Sequence, residues 1–335
     1  MRSRAASRIF YLVPDYAEPS WGVGLLYRHV HLLRGAGFDA RVLHQRAPFR
    51  LPWLDGDAPV EYLDRLAGAG GADDVIVVPE ILAAEAPRTL WRCRWGVFVQ
   101  GSFLILAGHE RAFRYPDLGF EFALAVLPHV AEVVARHFGL PARVVPPCVA
   151  PYFFRDEEEI RTRPRRRLVL LAAKKEYRRA GFPDYDIFTK LVRRTIEEQG
   201  QGWRVQELSG LDHRQVAELM AEAALLVNLN SHEAFNTTVP EAMAAGCIPI
   251  CYEAVGGRDF LAPGAGAFVF PNHHVYALVE QTCESMAAFD RGSPELLAMR
   301  LRARASVGRF TEEETGRALV EAFTELLGEA AERRA

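Results

Sequence analysis

Short apolar runs and longer amphipathic segments alternate along most of the chain. Runs of this kind, closed by polar or glycine-containing turns, predict buried strands of a parallel sheet, and the segments between them have helical spacing. The predicted strands are residues 9–13, 40–44, 75–78, 97–99, 122–127, 142–145, 168–172, 203–208, 225–230 and 247–252. The predicted helices are residues 26–33, 130–138, 186–196, 212–223, 239–245 and 311–327. This alternation indicates α/β domains.

A proline-rich segment divides the pattern into two halves. Pro146, Pro147 and Pro151 follow the predicted strand at 142–145, and stiff prolines suit an interdomain hinge. A chain of 335 residues is long enough for two domains with separate cores. We therefore predict Rossmann-like domains at residues 1–150 and 151–310.

The segment from Ser231 to Ile250 has the strongest local pattern in the chain. It follows a short apolar strand and contains Glu233 and Glu241, which stand eight positions apart. Thr238 is a good N-cap for a helix that begins at residue 239, with Glu241 at the N3 position. The backbone N–H groups at the start of such a helix favour phosphate.

Two simpler interpretations apply to these glutamates. Thr238 and Glu241 have the spacing of a capping box, so Glu241 could serve its own helix alone. Glu233 alone is typical of a solvated acidic residue in a loop. The choice between these interpretations and a ligand site depends on the whole pattern rather than on either residue.

The whole pattern resembles the E-x7-E signature of the retaining GT-B glycosyltransferases of the family-4 type. The matching residues are Glu233, Phe235, Glu241, Ala242, Met243, Ala244, Gly246 and Pro249. The resemblance implies that Glu233 contacts the donor sugar and that Glu241 binds the ribose hydroxyls of the nucleotide. It also implies that the intervening loop, with Phe235, Asn236, Thr237 and Thr238, meets the donor diphosphate. Ala234 and Asn236 replace small glycines of the family, and asparagine tolerates left-handed backbone.

Further donor contacts follow from the same resemblance. Lys174 and Lys175 come directly after the first strand of the second domain, where the family has a basic pair on the diphosphate. Preorganised cations there stabilise the charge that develops on the leaving group. Arg178 is close enough in sequence to contribute, and Ser209 opens the loop on which the family packs the nucleotide base. Two surface lysines are the alternative interpretation of the pair.

The first domain contains a second group of candidate residues. Gly22 and Gly24 lie in the predicted loop after the first strand, which is a phosphate-loop position in doubly wound folds; a plain tight turn is the alternative. Glu80, Gln100 and Ser102 follow two predicted strands, and the carboxyl ends of parallel strands face the ligand. We predict that these three residues contact the acceptor.

Composition and charge exclude several other functions. The net charge of −3 gives no general argument for nucleic-acid binding. Five cysteines without CxxC spacing favour reduced thiols in a cytoplasmic protein. Asp55 and Asp57 spell a DxD motif, but no predicted strand precedes them and a solvated loop is the better interpretation. The charged segment at residues 156–167 is interpreted as a solvated linker rather than a membrane patch, although peripheral membrane contact stays open.

Together these observations predict an α/β protein of the GT-B type. The resemblance implies two facing domains with a cleft between them, and a final segment at residues 311–335 that returns to the first domain. The implied reaction is a retaining transfer from a nucleotide-diphosphate sugar to a saccharide, lipid-linked or small-molecule acceptor, with neither a metal nor a separate cofactor. A nucleotide-sugar epimerase and a non-catalytic nucleotide- or glycan-binding protein are the alternatives.

Overall fold

The computed structural model describes residues 7–18, 20–51, 58–66, 71–86, 93–107, 109–173, 182–199 and 202–332. The chain forms two compact units, of which the first combines Met1–Pro147 with Glu312–Ala335 and the second is Cys148–Thr311. The division therefore lies within the proline-rich segment, and the final helix belongs to the first unit.

The first unit is built on a parallel sheet with the strand order β3-β2-β1-β4-β5-β6-β7. The strands are β1 (Arg8–Val13), β2 (Asp39–His44), β3 (Val60–Tyr62), β4 (Val75–Pro79), β5 (Arg94–Val99), β6 (Phe122–Ala125) and β7 (Ala142–Val144). The helices are α1 (Trp21–Gly35), α2 (Leu63–Leu66), α3 (Pro128–Phe138) and α10 (Glu312–Glu332). Thr315 on α10 donates to the carbonyl of Pro146 at 2.8 Å, and Arg94 donates to the carbonyl of Leu326. These bonds attach α10 to the unit.

The second unit contains a parallel sheet with the order β12-β11-β10-β8-β9. Its strands are β8 (Arg166–Ala172), β9 (Arg204–Glu207), β10 (Ala223–Asn228), β11 (Ile248–Tyr252) and β12 (Phe268–Phe270). Its helices are α4 (Glu157–Thr162), α5 (Pro183–Gln199), α6 (His213–Glu222), α7 (Thr238–Ala244), α8 (Val275–Asp290) and α9 (Pro294–Ser306). The strand order reverses between β8 and β10, and open α/β sheets bind ligands at the carboxyl ends of strands beside such a reversal.

The apolar runs correctly predicted the central strands of both sheets. All six residues of β10 are buried, as expected for a strand covered on both faces. The short edge strand β3 and the helices α2, α8 and α9 were not predicted. Asp55 and Asp57 lie outside the described residues.

Two predicted boundaries are wrong. Helix α1 begins at Trp21, so Gly22 and Gly24 belong to its first turn and not to a preceding loop. The backbone N–H of Gly24 donates to the carbonyl of Ser20 at 3.0 Å, which is the bond of a helical turn. Helix α7 begins at Thr238, so Thr238 is its first residue and not its N-cap.

The solvated-linker interpretation of residues 156–167 is correct only in part: most of these side chains are exposed, but the segment contains the helix α4 and contacts neighbouring elements. Asp156 caps α4 by accepting from the backbone N–H of Glu159 at 2.7 Å. Arg165 is largely buried and donates to the carbonyls of Met220 at 3.0 Å and Ala245 at 2.9 Å. Burial lowers the pKa of Arg165 to about 10. This segment thus joins the ends of α6 and α7, where carbonyl groups lack helical partners.

All five cysteines are free thiols, as expected. Across the described ranges, no helix combines the length and apolar character that a membrane span requires.

Candidate functional site

The loop between β10 and α7 contains Glu233, and the second glutamate of the E-x7-E pattern, Glu241, lies in the first turn of α7. The loop leaves β10 at Asn228, next to the reversal in strand order, and enters α7 at Thr238. The side-chain nitrogen of Asn228 donates to Oδ1 of Asn236 at 2.9 Å, while its Oδ1 accepts from the backbone N–H of Asn230 at 2.9 Å. Asn236 has φ of 47°, so it occupies the left-handed conformation that asparagine tolerates. The loop is therefore fixed by buried amide side chains.

A second turn packs directly on this loop. The backbone N–H of Gly256 donates to the carbonyl of Glu233 at 3.0 Å. A Cβ atom added at Gly256 would lie 1.3 Å from the carbonyl oxygen of Ala234. Only glycine fits this close approach. Glu233 itself is half-buried.

Phe235 supports the loop from inside the unit. Its side chain is buried, and its ring lies 5.0 Å from the ring of Phe310 and 5.5 Å from that of Phe260. The aromatic side chain therefore faces the core, and a donor contact at this position would involve its backbone. Thr237 and Thr238 are half-buried at the start of α7.

Glu241 is a buried carboxylate that contacts a side chain from another helix. Its Oε1 atom lies 2.8 Å from Nε2 of His213, and only 5% of the residue is exposed. Burial raises the pKa of Glu241, and the hydrogen bond and charge of His213 act in the opposite direction. The capping-box interpretation is wrong, because α7 begins one residue early and its N-cap, Thr237, makes no side-chain capping bond.

The sequence did not identify His213 as a site residue. It did predict the cap of α6, where Asp212 and Gln215 form a reciprocal capping box that places His213 at the first helical position. Nδ1 of His213 lies 2.6 Å from the hydroxyl of Tyr152. His213 is exposed and stands 28 residues before Glu241 in the chain, so the sequence gives no signal for their contact.

A second unpredicted cluster adjoins the loop. Asp184 is buried and accepts from the hydroxyl of Tyr252 and from Nδ1 of His273, each at 2.9 Å. Asn272 connects this cluster to the loop by donating to the carbonyl of Ser231 at 3.5 Å. The cluster thus supports the loop from the side of β11.

Several predicted donor residues cannot be placed. Lys174, Lys175 and Arg178 lie outside the described residues. Ser209 is described in the loop after β9, where its backbone N–H donates to the carbonyl of Glu207 at 3.1 Å. Among the residues that are described, no group of three histidine, cysteine or acidic side chains could hold a metal ion.

In the first unit, the predicted residues meet at the carboxyl ends of β4 and β5. A Cβ atom added at Gly22 would lie 2.8 Å from Oε1 of Gln100, so a larger residue there would displace the end of the Gln100 side chain. Oε1 of Glu80 accepts from the backbone N–H of Gly101 at 2.8 Å. Glu80 is only 2% exposed, so it holds the Gln100–Ser102 segment in place and is poorly accessible for the acceptor contact predicted for it. Ser102 begins a 3₁₀ helix.

Comparison with known proteins supports the same fold. The family model described as glycosyl transferases group 1 matches residues 189–285. A curated GDP-mannose:cellobiosyl-diphosphopolyprenol alpha-mannosyltransferase from Xanthomonas campestris is 37% identical over 67 residues, which cover 20% of this chain and 18% of that protein. The match thus spans about a fifth of the curated relative's length.

Solved structures resemble the chain over nearly its whole length. A sucrose-phosphate synthase from Thermosynechococcus elongatus has a TM-score of 0.68 at 14% identity, covering 96% of this chain and 99% of that one. The Anabaena protein HepE in complex with UDP has a TM-score of 0.66 at 14% identity, covering 95% and 100%. A glycosyltransferase from Rickettsia africae has a TM-score of 0.61 at 13% identity, covering 97% and 99%. The chain therefore has the GT-B fold of these glycosyltransferases, and its residues 189–285 match the glycosyl transferases group 1 family.

Proposed function

We propose that this protein is a retaining glycosyltransferase that uses a nucleotide-diphosphate sugar as donor. The observation that carries the proposal is Glu241, a buried carboxylate next to the strand reversal of the second unit and inside the matched segment. A carboxylate accepts hydrogen bonds from hydroxyl groups, and bonds to an ionised acceptor are the stronger kind. Glu241 thus has the chemistry that a ribose of the donor requires.

The other donor contacts rest on the resemblance. Glu233 meets the donor sugar, and the backbone N–H groups of residues 234–238 meet the diphosphate. Lys174 and Lys175, with Arg178 beside them, neutralise the diphosphate, and the Ser209 loop receives the base. Gln100 and Ser102 contact the acceptor at the edge of the first sheet.

These roles define the reaction. An acceptor hydroxyl forms a bond to the anomeric carbon on the face from which the diphosphate leaves, and the bond between that carbon and the diphosphate oxygen breaks. The hydroxyl proton goes to the leaving diphosphate. The protein stabilises the growing charge with the lysine pair and the loop amides, so neither a bound metal nor a separate cofactor is required.

The relatives leave the donor base and sugar open. The Xanthomonas relative is named for GDP-mannose, whereas HepE is solved with UDP and with UDP-glucose. All of these ligands share a ribose and a diphosphate, which are the groups assigned to Glu241 and to the basic residues here. We therefore commit to the class of donor rather than to one nucleotide.

Exposed apolar side chains favour a lipid-linked acceptor within the proposed classes. Phe103, Leu104 and Leu106 are 43%, 47% and 40% exposed directly after Ser102. Apolar side chains grouped at a candidate acceptor edge are typical of an interaction surface.

Replacing Leu104 and Leu106 by serine should weaken transfer to a lipid-linked acceptor and leave transfer to a water-soluble sugar unchanged. An equal effect on both acceptors would argue against this assignment. A cytoplasmic location with peripheral membrane contact fits such an acceptor.

The proposal is tested by nucleotide binding and by one matched pair of variants. Thermal denaturation is measured with UDP, GDP, ADP, dTDP and their sugars; a ligand at 100 times its Kd should stabilise the fold by about 2.7 kcal/mol. Glu241→Gln should abolish most of that stabilisation, while Glu253→Gln, which alters an exposed carboxylate at the end of β11, should retain it. Absence of binding by all ligands would refute the proposal. Donor hydrolysis or epimerisation without transfer would identify the epimerase alternative instead.

A further inference from the structure

Three side chains form a continuous hydrogen-bonded chain in the second unit. The hydroxyl of Tyr152, in the 3₁₀ helix Pro151–Phe153, lies 2.6 Å from Nδ1 of His213, and Nε2 of His213 lies 2.8 Å from Oε1 of Glu241. With a neutral ring, one tautomer satisfies both contacts: Nδ1 accepts from Tyr152, and Nε2–H donates to Glu241. The ionised carboxylate can only accept, so it requires the proton on Nε2, and the Tyr152 hydroxyl then holds the ring by donating to Nδ1.

The two oxygens of Glu241 have different environments. Oε1 is held by His213, whereas Oε2 accepts no hydrogen bond from the described part of the chain. The side chain of Glu241 is 7% exposed and that of His213 is 48% exposed. A buried carboxylate with one oxygen engaged has acceptor capacity left for a ligand.

Burial makes the ionised form of Glu241 costly, and His213 opposes this cost. Burial is the largest influence on the pKa of Glu241 and raises it, while the hydrogen bond and charge of His213 lower it. Other ionisable side chains stand on the elements packed against α7, but none of them shifts the pKa of Glu241: Tyr152 in the 3₁₀ helix, Arg214, Glu218 and Glu222 on α6, Cys251 and Tyr252 on β11, and Glu295, Arg300, Arg302 and Arg304 on α9. Within the described residues, the charge state of Glu241 thus depends on His213.

We propose that His213, held by Tyr152, is a positioning residue that fixes Oε1 of Glu241 and reserves Oε2 for a hydroxyl of the donor ribose. This inference rests on the proposed function, because it takes the ligand of Glu241 to be a nucleotide ribose. It adds a specificity element: the site accepts from one ribose hydroxyl through Oε2, and it does so only while Glu241 is ionised.

The first test is the pH dependence of nucleotide affinity. The nucleoside diphosphate with the largest stabilisation among UDP, GDP, ADP and dTDP is titrated calorimetrically against wild type, His213→Ala, His213→Gln and Tyr152→Phe. In His213→Ala the acid limb should move to higher pH, so that affinity is lost below the limb and changes little above it. His213→Gln retains an N–H donor and should stay near wild type.

Tyr152→Phe supplies an internal control. It should weaken binding in the same direction as His213→Ala, and by less, because the ring keeps its donor to Glu241 but loses the hydrogen bond that holds it in place. The double variant should be no weaker than His213→Ala alone, since both changes act on one contact. A loss of affinity that is equal at every pH would show that His213 has only a structural role, and would overturn the proposal.

A ligand-free measurement separates this inference from the proposed function. If wild type binds none of the four nucleotides, the proposed function fails, but the coupling of His213 to Glu241 is still measurable in the melting temperature. His213→Ala should lower it more in wild type than in the Glu241→Gln background, because the glutamine oxygen still accepts the hydrogen bond but carries no charge. Additive shifts would overturn the inference in either case.

Discussion

Glu80 provides a test of how burial controls stability in the first unit. It lies directly after β4, is 2% exposed, and burial raises its pKa from an ordinary 4.5 to about 7. Backbone N–H groups of Gln100 and Gly101 act in the opposite direction without cancelling the effect. The folded state therefore binds a proton more tightly than the unfolded state.

The sign and size of the consequence follow from linkage. Between pH 4.5 and about 7 the folded state holds more protons, so the free energy of unfolding falls as the pH rises. A shift of this size corresponds to about 3 kcal/mol at full ionisation, at roughly 1.4 kcal/mol per pKa unit. Glu80→Gln has a similar shape and no charge to titrate. Relative to wild type, it should gain about 3 kcal/mol between mildly acidic and mildly basic pH.

The assay is thermal denaturation of wild type and Glu80→Gln over that pH range. For a unit of this size the gain corresponds to a change of about 6–12 °C in the difference between the two melting temperatures. His29 also titrates in this unit, since burial lowers its pKa to about 3, but it is present in both proteins and cancels in the difference. Glu85→Gln removes an exposed carboxylate from the same segment and controls for the loss of one charge.

An offset that is the same at every pH can be added to the pH-dependent gain, because the glutamine amide faces two backbone donors. A difference between the two proteins that has no pH-dependent part would contradict the reasoning. It would mean that the N–H groups of Gln100 and Gly101 solvate the carboxylate as well as water does, and that burial of Glu80 has no energetic consequence.

Three further predictions concern the candidate site. Lys174→Ala or Lys175→Ala should lower kcat by a factor of about 10² to 10³, more than it raises the KM for donor, because charge grows on the diphosphate as the bond breaks; a pure KM effect would indicate uniform binding instead. Turnover should survive excess EDTA, and a loss that manganese restores would contradict the assignment of charge stabilisation to the lysine pair. Gly256→Ala should destabilise the fold by about 1–3 kcal/mol, since its methyl would overlap the carbonyl of Ala234, whereas Gly35→Ala, with nothing within 4 Å, should melt near wild type.

The sequence correctly predicted the elements that form because of composition or of interactions between residues close together in the chain. Residues 168–172 of β8 are an unbroken apolar run because both faces of this part of the strand are covered, so their composition alone identifies the strand. Asp212 caps α6 because its carboxylate reaches a backbone N–H three residues ahead, which is a property of the sequence spacing. Asn236 adopts positive φ for a similarly local reason.

The wrong predictions involve groups whose environment is set by distant chain. Gly22 was assigned to a loop because glycine often marks a turn, yet it lies in α1, where the end of the Gln100 side chain approaches it closely. Arg165 was assigned to a solvated linker because it stands in a charged run, yet it binds carbonyls at positions 220 and 245. In both cases the deciding neighbour is more than fifty residues away in the chain.

The structure decides between the two roles that the sequence allowed for Glu241, which are a helix cap and a ligand contact. The spacing to Thr238 allowed a capping role, and a capping role would have been a sufficient reason for an acidic residue at this position. Because α7 begins at Thr238, the carboxylate instead faces His213 on α6 and is buried there. A buried carboxylate with a single protein partner in the described residues lowers the stability of the ligand-free protein. A ligand hydroxyl that completes its hydrogen bonding recovers part of that free energy, so we expect nucleotide affinity and the cost of burying Glu241 to be coupled.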